Sequence, residues 1–580
     1  MSTETPRPSI LSALFLGQIE SDQFIPYPAF SDIELETLKL VLESVHKFLE
    51  DKEADFAEYD KKGAQPDEYI QALKELGLFG LIIPEEFGGI GLSNAAYSRV
   101  LQESSSFDAS TSLTIGAHSS IGMKGLLLYG SEEQKTKYLP ELATGERIAA
   151  FCLTEPGAGS DAASLRTTAK KDDSGNWILN GEKIWITNGA FARFFTVFAR
   201  TDSPEGKLSA FIVEREFEGV SNGPKEDKMG IRASATTTIR FDNVHVPAEN
   251  LLGEEGKGFK IAMEILNNGR TGLGGGSVGG MKRMIALATA QAKDRKQFGK
   301  SISEYGLIKE KLAQMTVRCY VTESIVRMVG HMIDSGHPDY STEAAISKIY
   351  ASEALWLTIN DALQIAGGNG FMKEYPYERY LRDSRINLIF EGTNEILRLY
   401  IGLSGMKVVG EFLKEVIKGT SGFLNDPIKG FGVLSSYMGN RFTQRTMLGL
   451  PEIKGLHPDL KEFAEIFERG AVTLSRVSEV LVKKHKKDII NEQLQIKRVA
   501  EISMEIFAGL CTLFRAHSQL EEASKDERES ILSIVKIFSQ TAKRNIAHNV
   551  RRIEKSNEDS EIRSLADYIF SEEKYPWDAL

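Results

Sequence analysis

The sequence predicts a mainly α-helical protein with a β domain set near its centre and an extra helical domain at its C-terminal end. Three observations carry this reading. The chain has 580 residues, too many for one core at about 100–200 residues per domain, which implies roughly three or four packed units. Apolar residues recur at helical spacing from residue 31 to about 140 and again from Gly256 onward. Between about 148 and 250 the pattern changes to short β-rich runs punctuated by Asp-Ser-Gly, Asn-Gly and Pro.

Taken in order, Ile33, Leu35, Leu38, Leu40, Val41 and Leu42, then Tyr69, Leu73 and Leu76, give the helical spacing of the first region, broken by glycines at Glu86 to Gly91. The β-rich runs are Ile148–Leu153, Trp177–Leu179, Phe195–Ala199, Leu208–Val213 and Thr236–Val246, which suit a small barrel. Helices return with Ile285–Lys296 and Leu307–Ile333. The domains expected are 1–147 (helical), 148–255 (β-barrel), 256–419 (helical bundle), 420–450 (a looser, Gly-rich linker) and 451–580 (helical).

Composition removes several function classes. With 42% hydrophobic and 26% charged residues the chain can bury a large core. Its net charge of −11 is spread over both signs, against the basic footprint of a nucleic-acid-binding protein. Cys152, Cys319 and Cys511 lie far apart and read as buried small hydrophobes, so neither a disulfide framework nor a zinc site is expected and a reducing compartment fits. The nine histidines form no His-x-x-x-His pair, which disfavours a metal enzyme. The N-terminus lacks the basic start of a signal peptide, and no apolar run reaches membrane-spanning length.

Two motifs point elsewhere and fail on context. Gly274-Gly-Gly-Ser-Val-Gly279 satisfies both the dinucleotide fingerprint and the Gly-x-Ser-x-Gly pattern, but each needs a preceding strand, whereas Phe259–Leu266 has helical spacing. Close helix packing explains the glycines better. The run Lys483–Lys487 on an amphipathic helix reads as a solvated face.

Polar chemistry gathers instead in glycine-rich loops. Phe151-Cys-Leu-Thr-Glu-Pro-Gly-Ala-Gly-Ser-Asp161 ends a strand with hydroxyls and small residues that let a polar ligand come close, although a turn closing a strand explains it equally well. In Ile184-Trp-Ile-Thr-Asn-Gly189, Trp185 and Thr187 would share one strand face, a floor for a flat aromatic group or an ordinary core tryptophan. Arg295–Gly299 and Gln364–Gly370 add a cation, an amide and more small residues, as a pyrophosphate and adenine would need. The chemistry alone stops at a bound dinucleotide. It leaves unexplained why Glu391 stands between the hydrophobic run Ile386–Phe390 and a Gly-Thr-Asn helix start.

In order, "FCLTEPGAGSD", "KIWITNG", "RKQFG", "QIAGGNGF" and "IFEGTNEILRL" resemble the acyl-CoA dehydrogenase family. "PYPAF", "ILNNGR", "LIKEKLAQM", "YVTES", "AAISKI" and "KHKKDIINEQ" are similar to its very-long-chain branch, including the relative associated with respiratory complex I assembly. The resemblance runs from about residue 15 to the end. It implies an FAD enzyme, a homodimer, with helical, β-barrel and helical domains plus the extra C-terminal domain of this branch.

By that resemblance Glu391 is the catalytic base, removing the α-proton of a fatty acyl-CoA thioester while the β-hydrogen leaves as hydride to flavin N5. The hydrophobic lead-in would bury the carboxylate and raise its pKa, with the nearby helix start opposing part of the shift. The Glu391 N–H and a flavin ribityl hydroxyl would polarise the thioester carbonyl, and Gly392 would give that backbone room. Carried across, Phe151, Leu153, Thr154, Gly159, Ser160, Trp185, Ile186 and Thr187 hold FAD, with Ser160 also near the CoA portion. Arg295, Phe298, Gln364, Gly367 and Gly368 contact FAD across the dimer interface, and Thr393, Asn394 and Glu395 contact it beside the base. Asn267, Arg270, Phe390 and Gly392 face substrate, with Arg270 organising the active-site loop. Branched-chain members place their base beside this arginine, where this chain has Gly269.

Residues 420–450 combine apolar side chains with Lys429, Arg441 and Arg445 against Asp426 alone. This suits an anionic bilayer surface, as the resemblance also implies, with packing against a partner subunit as the alternative. The expected function is dehydrogenation of long- to very-long-chain acyl-CoA to trans-2-enoyl-CoA in β-oxidation, with electrons passing to electron-transfer flavoprotein. An acyl-CoA oxidase and a respiratory-complex assembly factor are the alternatives; the final Trp577-Asp-Ala-Leu580, lacking a Ser-Lys-Leu address, argues against a peroxisomal oxidase. The expected location is a bacterial cytoplasm, including its inner membrane face, or the mitochondrion in a eukaryotic host.

Overall fold

The computed structural model describes residues 9–201, 207–421, 438–439, 441, 443–444, 446–555 and 557–578. In chain order the longer helices are α1 Asp32–Asp51, α2 Asn94–Phe107, α3 Gly258–Asp294, α4 Gly306–Asp334, α5 Ser341–Ala366, α6 Asn394–Ser421, α7 Lys461–His485, α8 Gln493–Leu520, α9 Lys525–Glu554 and α10 Asp559–Glu572. The strands are β1 Ala149–Cys152, β2 Thr168–Lys171, β3 Trp177–Ile186, β4 Phe194–Thr201, β5 Leu208–Glu214, β6 Val220–Lys225, β7 Thr237–Val246 and β8 Leu251–Leu252. Two compact units form, Tyr27–Ile396 and Pro8–Pro26 with Leu397–Leu580.

In the first unit, α1 shows how a dense apolar run is sorted by helical geometry. Leu38, Val45 and Leu49 are buried, whereas Ile33 and Leu40, which share the expected apolar spacing, are exposed. Residues this closely spaced cannot all lie on one stripe. Ser31 starts the helix by accepting the Glu34 N–H at 3.3 Å.

The sheet runs in the order β6-β7-β3-β2-β4-β5-β8, with β1 joined in parallel to β4. Period-two alternation divides β4 between two cores. Phe195, Val197 and Ala199 pack with Trp177, Leu179, Ile239 and Phe241 of the sheet. Phe194 and Phe198 face the other way, toward Leu126, Leu139, Ile261 and Ile265 from helices. Each such buried side chain contributes about 1.5–3 kcal/mol. Strands β2 and β6 carry no apolar run, Thr168–Lys171 and Val220–Lys225 being largely exposed, which is why hydrophobic patterning misses them.

Helix α3 settles the glycine motif. Gly274–Gly279 lies inside it, and a Cβ added at Gly275 or Gly279 would collide with the backbone of Ser98 or Gln102 on α2. The close approach lets α2 serines bond across: Ser98 Oγ donates to Thr271 O at 3.2 Å and Ser105 Oγ to Gly276 O at 2.7 Å. The helix stops at Asp294, two residues before the end expected from its spacing. A hairpin takes over, pairing Lys296–Gln297 with Lys300–Ser301 around Phe298 and Gly299 at φ 53° and 85°.

In the second unit, residues that the sequence reading groups with the N-terminal helices fold with the C-terminal ones. Leu14 and Phe15 of the helix Ile10–Phe15 are fully buried, Gly405 on α6 lies against the Phe15 ring, and Phe24 stacks on Phe514 of α8 at 5.0 Å. Helices α7, α8 and α9 pack together, with Phe467 stacked on Phe538. Asp559 is the only buried residue of α10 and is held by Arg498 Nη1 at 2.8 Å and Gln495 Nε2 at 3.0 Å. Lys483 and Lys484 are exposed at the C-terminal end of α7, where positive charge complements the helix dipole. The apolar and basic residues expected to favour a bilayer lie mostly outside the described residues. No described helix is long and apolar enough to cross a membrane. All three cysteines are buried and free.

Candidate active site

The site grows from the short turn between a 3-10 helix, Arg385–Leu388, and α6. Glu391 and Gly392 are consecutive left-handed residues, at φ 57° and 93°. A non-glycine residue held there is strained, and such strain gathers at functional sites. Glu391 does not cap the helix; Thr393 Oγ1 does, accepting the Ile396 N–H at 3.3 Å.

The Glu391 carboxylate faces α3. A Cβ at Gly269 would sit 3.5 and 3.6 Å from its two oxygens, so the absence of a side chain there makes the space the carboxylate occupies. Residue-level exposure of Glu391 is partial, yet its Oε2 is buried and has no hydrogen-bond partner among the described residues. Burial pushes its pKa up to about 7, against the opposing pull of Arg270 and Lys348. Two details differ from the sequence expectation. The lead-in Ile386–Phe390 is only half-buried, with Ile389 exposed. The carboxylate is shielded from the other side, where Ile121 crowds Gly269 and where Tyr97 feels the Glu391 charge. The opposition comes from two buried cations brought in from α3 and α5.

Arg270 donates to Asn267 Oδ1 within α3, so the expected substrate segment and Glu391 do converge. Ile121 belongs to a π-helical turn, Ala117–Gly122, a local widening common at functional sites. His118 ties that turn down: its Nδ1 accepts the Ala149 N–H at 2.9 Å and its Nε2 donates to Phe79 O at 3.1 Å. Burial lowers its pKa to about 4, so it is neutral. Tyr97, Lys348 and the His118 tether are site residues that motif reading missed, because each comes from a helix far away in sequence and none sits in a glycine-rich loop.

The loops expected to hold the cofactor lie at the end of the sheet. Phe151 lies in β1 and Leu153 just follows it, and Thr154 O accepts the Ile184 N–H at 2.9 Å, binding the two segments to each other. Behind them Lys183 Nζ donates to Glu155 Oε1 at 2.7 Å and Leu153 O at 3.2 Å. Gly159 and Ser160 are exposed, and nothing stands within 4 Å of a Cβ at Gly159. Trp185, at φ 57°, is 64% exposed. It sits in a bulge between Lys183 and Ile186, and β3 ends at Ile186, so Thr187 lies in the following turn and not, as expected, on a regular strand with Trp185. Ile186 itself points into the sheet core.

Two further elements carry the remaining expected FAD contacts, and both are exposed. Arg295 and the 95% exposed Phe298 stand on the hairpin, and Gln364, Gly367 and Gly368 are exposed at the end of α5. Thr393 and Glu395 flank Asn394, which is buried beside Glu391. A strained, exposed indole beside open glycine turns is what an extended flat ligand with a pyrophosphate requires, so these residues fit FAD.

A buried carboxylate oxygen without a donor, in a chain whose exposed glycine turns suit a flavin nucleotide, fits a flavoprotein. The comparisons make the class specific. Models of the acyl-CoA dehydrogenase N-terminal, middle and C-terminal domains match residues 36–146, 150–244 and 256–405, and that of the ACAD9/ACADV C-terminal domain matches 458–575. The very long-chain specific acyl-CoA dehydrogenase of Homo sapiens mitochondria is 46% identical over 89% of this chain and 79% of its own. An acyl-CoA dehydrogenase complexed with FAD from Bacillus anthracis superposes with a TM-score of 0.80 at 34% identity, over 93% of this chain and 91% of that one. A chain from a structure described as the electron transferring flavoprotein of Acidaminococcus fermentans is 37% identical, with a TM-score of 0.62, over 65% of this chain and 98% of that one. The chain belongs to the acyl-CoA dehydrogenase family, and is an FAD-dependent enzyme of fatty acyl-CoA dehydrogenation.

Proposed function

We propose that the chain dehydrogenates long- to very-long-chain acyl-CoA to the trans-2-enoyl-CoA, with Glu391 as the base, and passes electrons to an electron-transfer flavoprotein. The observation that carries the mechanism is the Glu391 carboxylate, buried, beside Gly269 and with Oε2 unpartnered. A carboxylate without donors is more basic than one in water, and at pKa about 7 it is poised to take a proton near neutrality. The Glu391 N–H makes no backbone hydrogen bond among the described residues and is free to polarise a thioester oxygen. Arg270 and Lys348 keep enough of the carboxylate ionised to act.

FAD, when bound, accepts the β-hydrogen with its electron pair. Phe151 to Ser160 and Trp185 to Thr187 would hold it from one subunit, with Thr393, Asn394 and Glu395 beside the base. Arg295, Phe298, Gln364, Gly367 and Gly368 would hold it from the other subunit of a homodimer. The strong exposure of Phe298 and Phe371 supports that division. Asn267, Arg270, Phe390 and Gly392 would line the acyl-CoA site, with Ser160 near the CoA portion. Similarity to the very long-chain specific enzyme across most of the chain, including the matched C-terminal domain, supports the chain-length class.

Anaerobic titration with saturated acyl-CoAs of increasing length, read by flavin absorbance, tests the reading. Bleaching strongest with long chains, followed by reoxidation by electron-transfer flavoprotein rather than by oxygen, is expected. A flavin that never bleaches would overturn it.

A further inference from the structure

Lys348 has no part in the reading above beyond its charge, yet its position is unusual. It lies on α5, is fully buried, and its ammonium donates to Gly392 O at 2.8 Å and Asn394 Oδ1 at 2.8 Å. Lysine is seldom fully buried unless paired. Here the ammonium bonds neutral oxygens, so its charge is not cancelled by an adjacent carboxylate and its field reaches Glu391.

The geometry around it is a clamp on the turn that carries Glu391. Asn394 Nδ2 donates to Ser352 Oγ at 3.0 Å and Glu353 Oε1 at 3.1 Å, both on α5 close beyond Lys348. Lys348 grips the same Asn394 through its carbonyl and also holds Gly392 O. Thus both bonds fall immediately after Glu391, on a turn whose two consecutive left-handed residues would relax if released. The groups acting on this locus are Arg270 on α3, Lys348 and Glu353 on α5, Tyr97 on α2 and Glu395 on its own segment.

We propose that Lys348 is a positioning residue for the dehydrogenation, pinning Gly392 O and Asn394 so that Glu391 keeps its left-handed backbone and its carboxylate stays against Gly269. It also biases Glu391 toward the ionised form. This rests on Glu391 being the base. Lys348→Met would remove both bonds and the charge while keeping an apolar stem.

The test uses the full-length holoenzyme with palmitoyl-CoA as the probe. Lys348→Met is expected to slow anaerobic flavin bleaching at least about tenfold and to move the pH midpoint of that rate upward by about one pH unit. Backbone amides of 391–396 should exchange faster with deuterium, with and without FAD. Lys348→Arg should restore the midpoint, since the charge returns. Lys348→Gln, neutral but still a donor, covers the case in which Lys348→Met fails to fold, and should shift the midpoint upward. An unmoved midpoint and unmoved exchange in whichever neutral variant folds would overturn the proposal. Glu391→Gln run in parallel separates the two ideas: if it alone loses bleaching, Glu391 stands and Lys348 falls, whereas if it bleaches normally, the base assignment itself is wrong.

Discussion

Glu155 and Glu391 are both shielded glutamates of the first unit, and they have been given opposite surroundings. Glu155 receives Lys183 Nζ at 2.7 Å, the Thr167 N–H at 2.9 Å and its hydroxyl at 2.5 Å, and the Arg166 N–H at 2.5 Å. Burial alone would raise its pKa, but Lys183 and these donors outweigh that and hold it below the ordinary carboxylate range. Glu391 is buried with donors withheld from Oε2, and its pKa moves the other way, to about 7. The number of donors, more than depth, decides whether a buried carboxylate is a strut or a base.

Breaking each glutamate should therefore give different failures. Glu391→Gln should keep flavin and acyl-CoA affinity but lose bleaching by about 10³-fold, the range of a general base; stopped-flow absorbance checks this. Glu155→Gln should instead leave Lys183 buried and uncompensated, lowering stability by about 3–5 kcal/mol and weakening flavin retention before it touches the chemical step. Adding Lys183→Met to that variant should recover much of the stability, as thermal unfolding would show.

Titration sharpens the contrast. On the proposal that Glu391 is the base, active only when ionised, the bleaching rate at low substrate should rise about tenfold per pH unit below pH 7 and level off above it. Its raised pKa means that the folded state binds the proton more tightly than the unfolded chain between about 4.5 and 7. Stability contributed by the protonated form is thus lost as pH rises through that window. The Glu391→Gln variant should lack about 3 kcal/mol of decline between pH 5 and 8, measured by denaturant unfolding at both values.

Much of this was readable from local sequence. The glycine loops, the β-rich runs of β4 and β5 and the placement of Glu391 ahead of a helix are short-range patterns, and the comparisons confirm the family that those motifs resemble. What escaped depends on which helices meet. Lys348 lies within "AAISKI", one of the runs that carry the resemblance, yet no role followed from it, since a lysine in a helical run ordinarily faces water, whereas here it is buried and bonded to the 391–394 turn. The apolar lead-in to Glu391 looks like a burial device, but it is half-exposed, and the shielding comes from Gly269 and Ile121 instead. The Trp185 bulge removes the regular strand on which Trp185 and Thr187 were expected to share one face.

The helix Ile10–Phe15 and Phe24 find their partners on α6, α7 and α8, at the far end of the polypeptide. A ribosome moving at about 5–20 residues per second therefore exposes these apolar residues for roughly half a minute or longer before their binding surface has been made. During that interval Leu14, Phe15 and Phe24 are unsatisfied apolar ends of a nascent chain, natural ligands for a holdase. Birth order thus makes the earliest segment of this chain among the last to find its place.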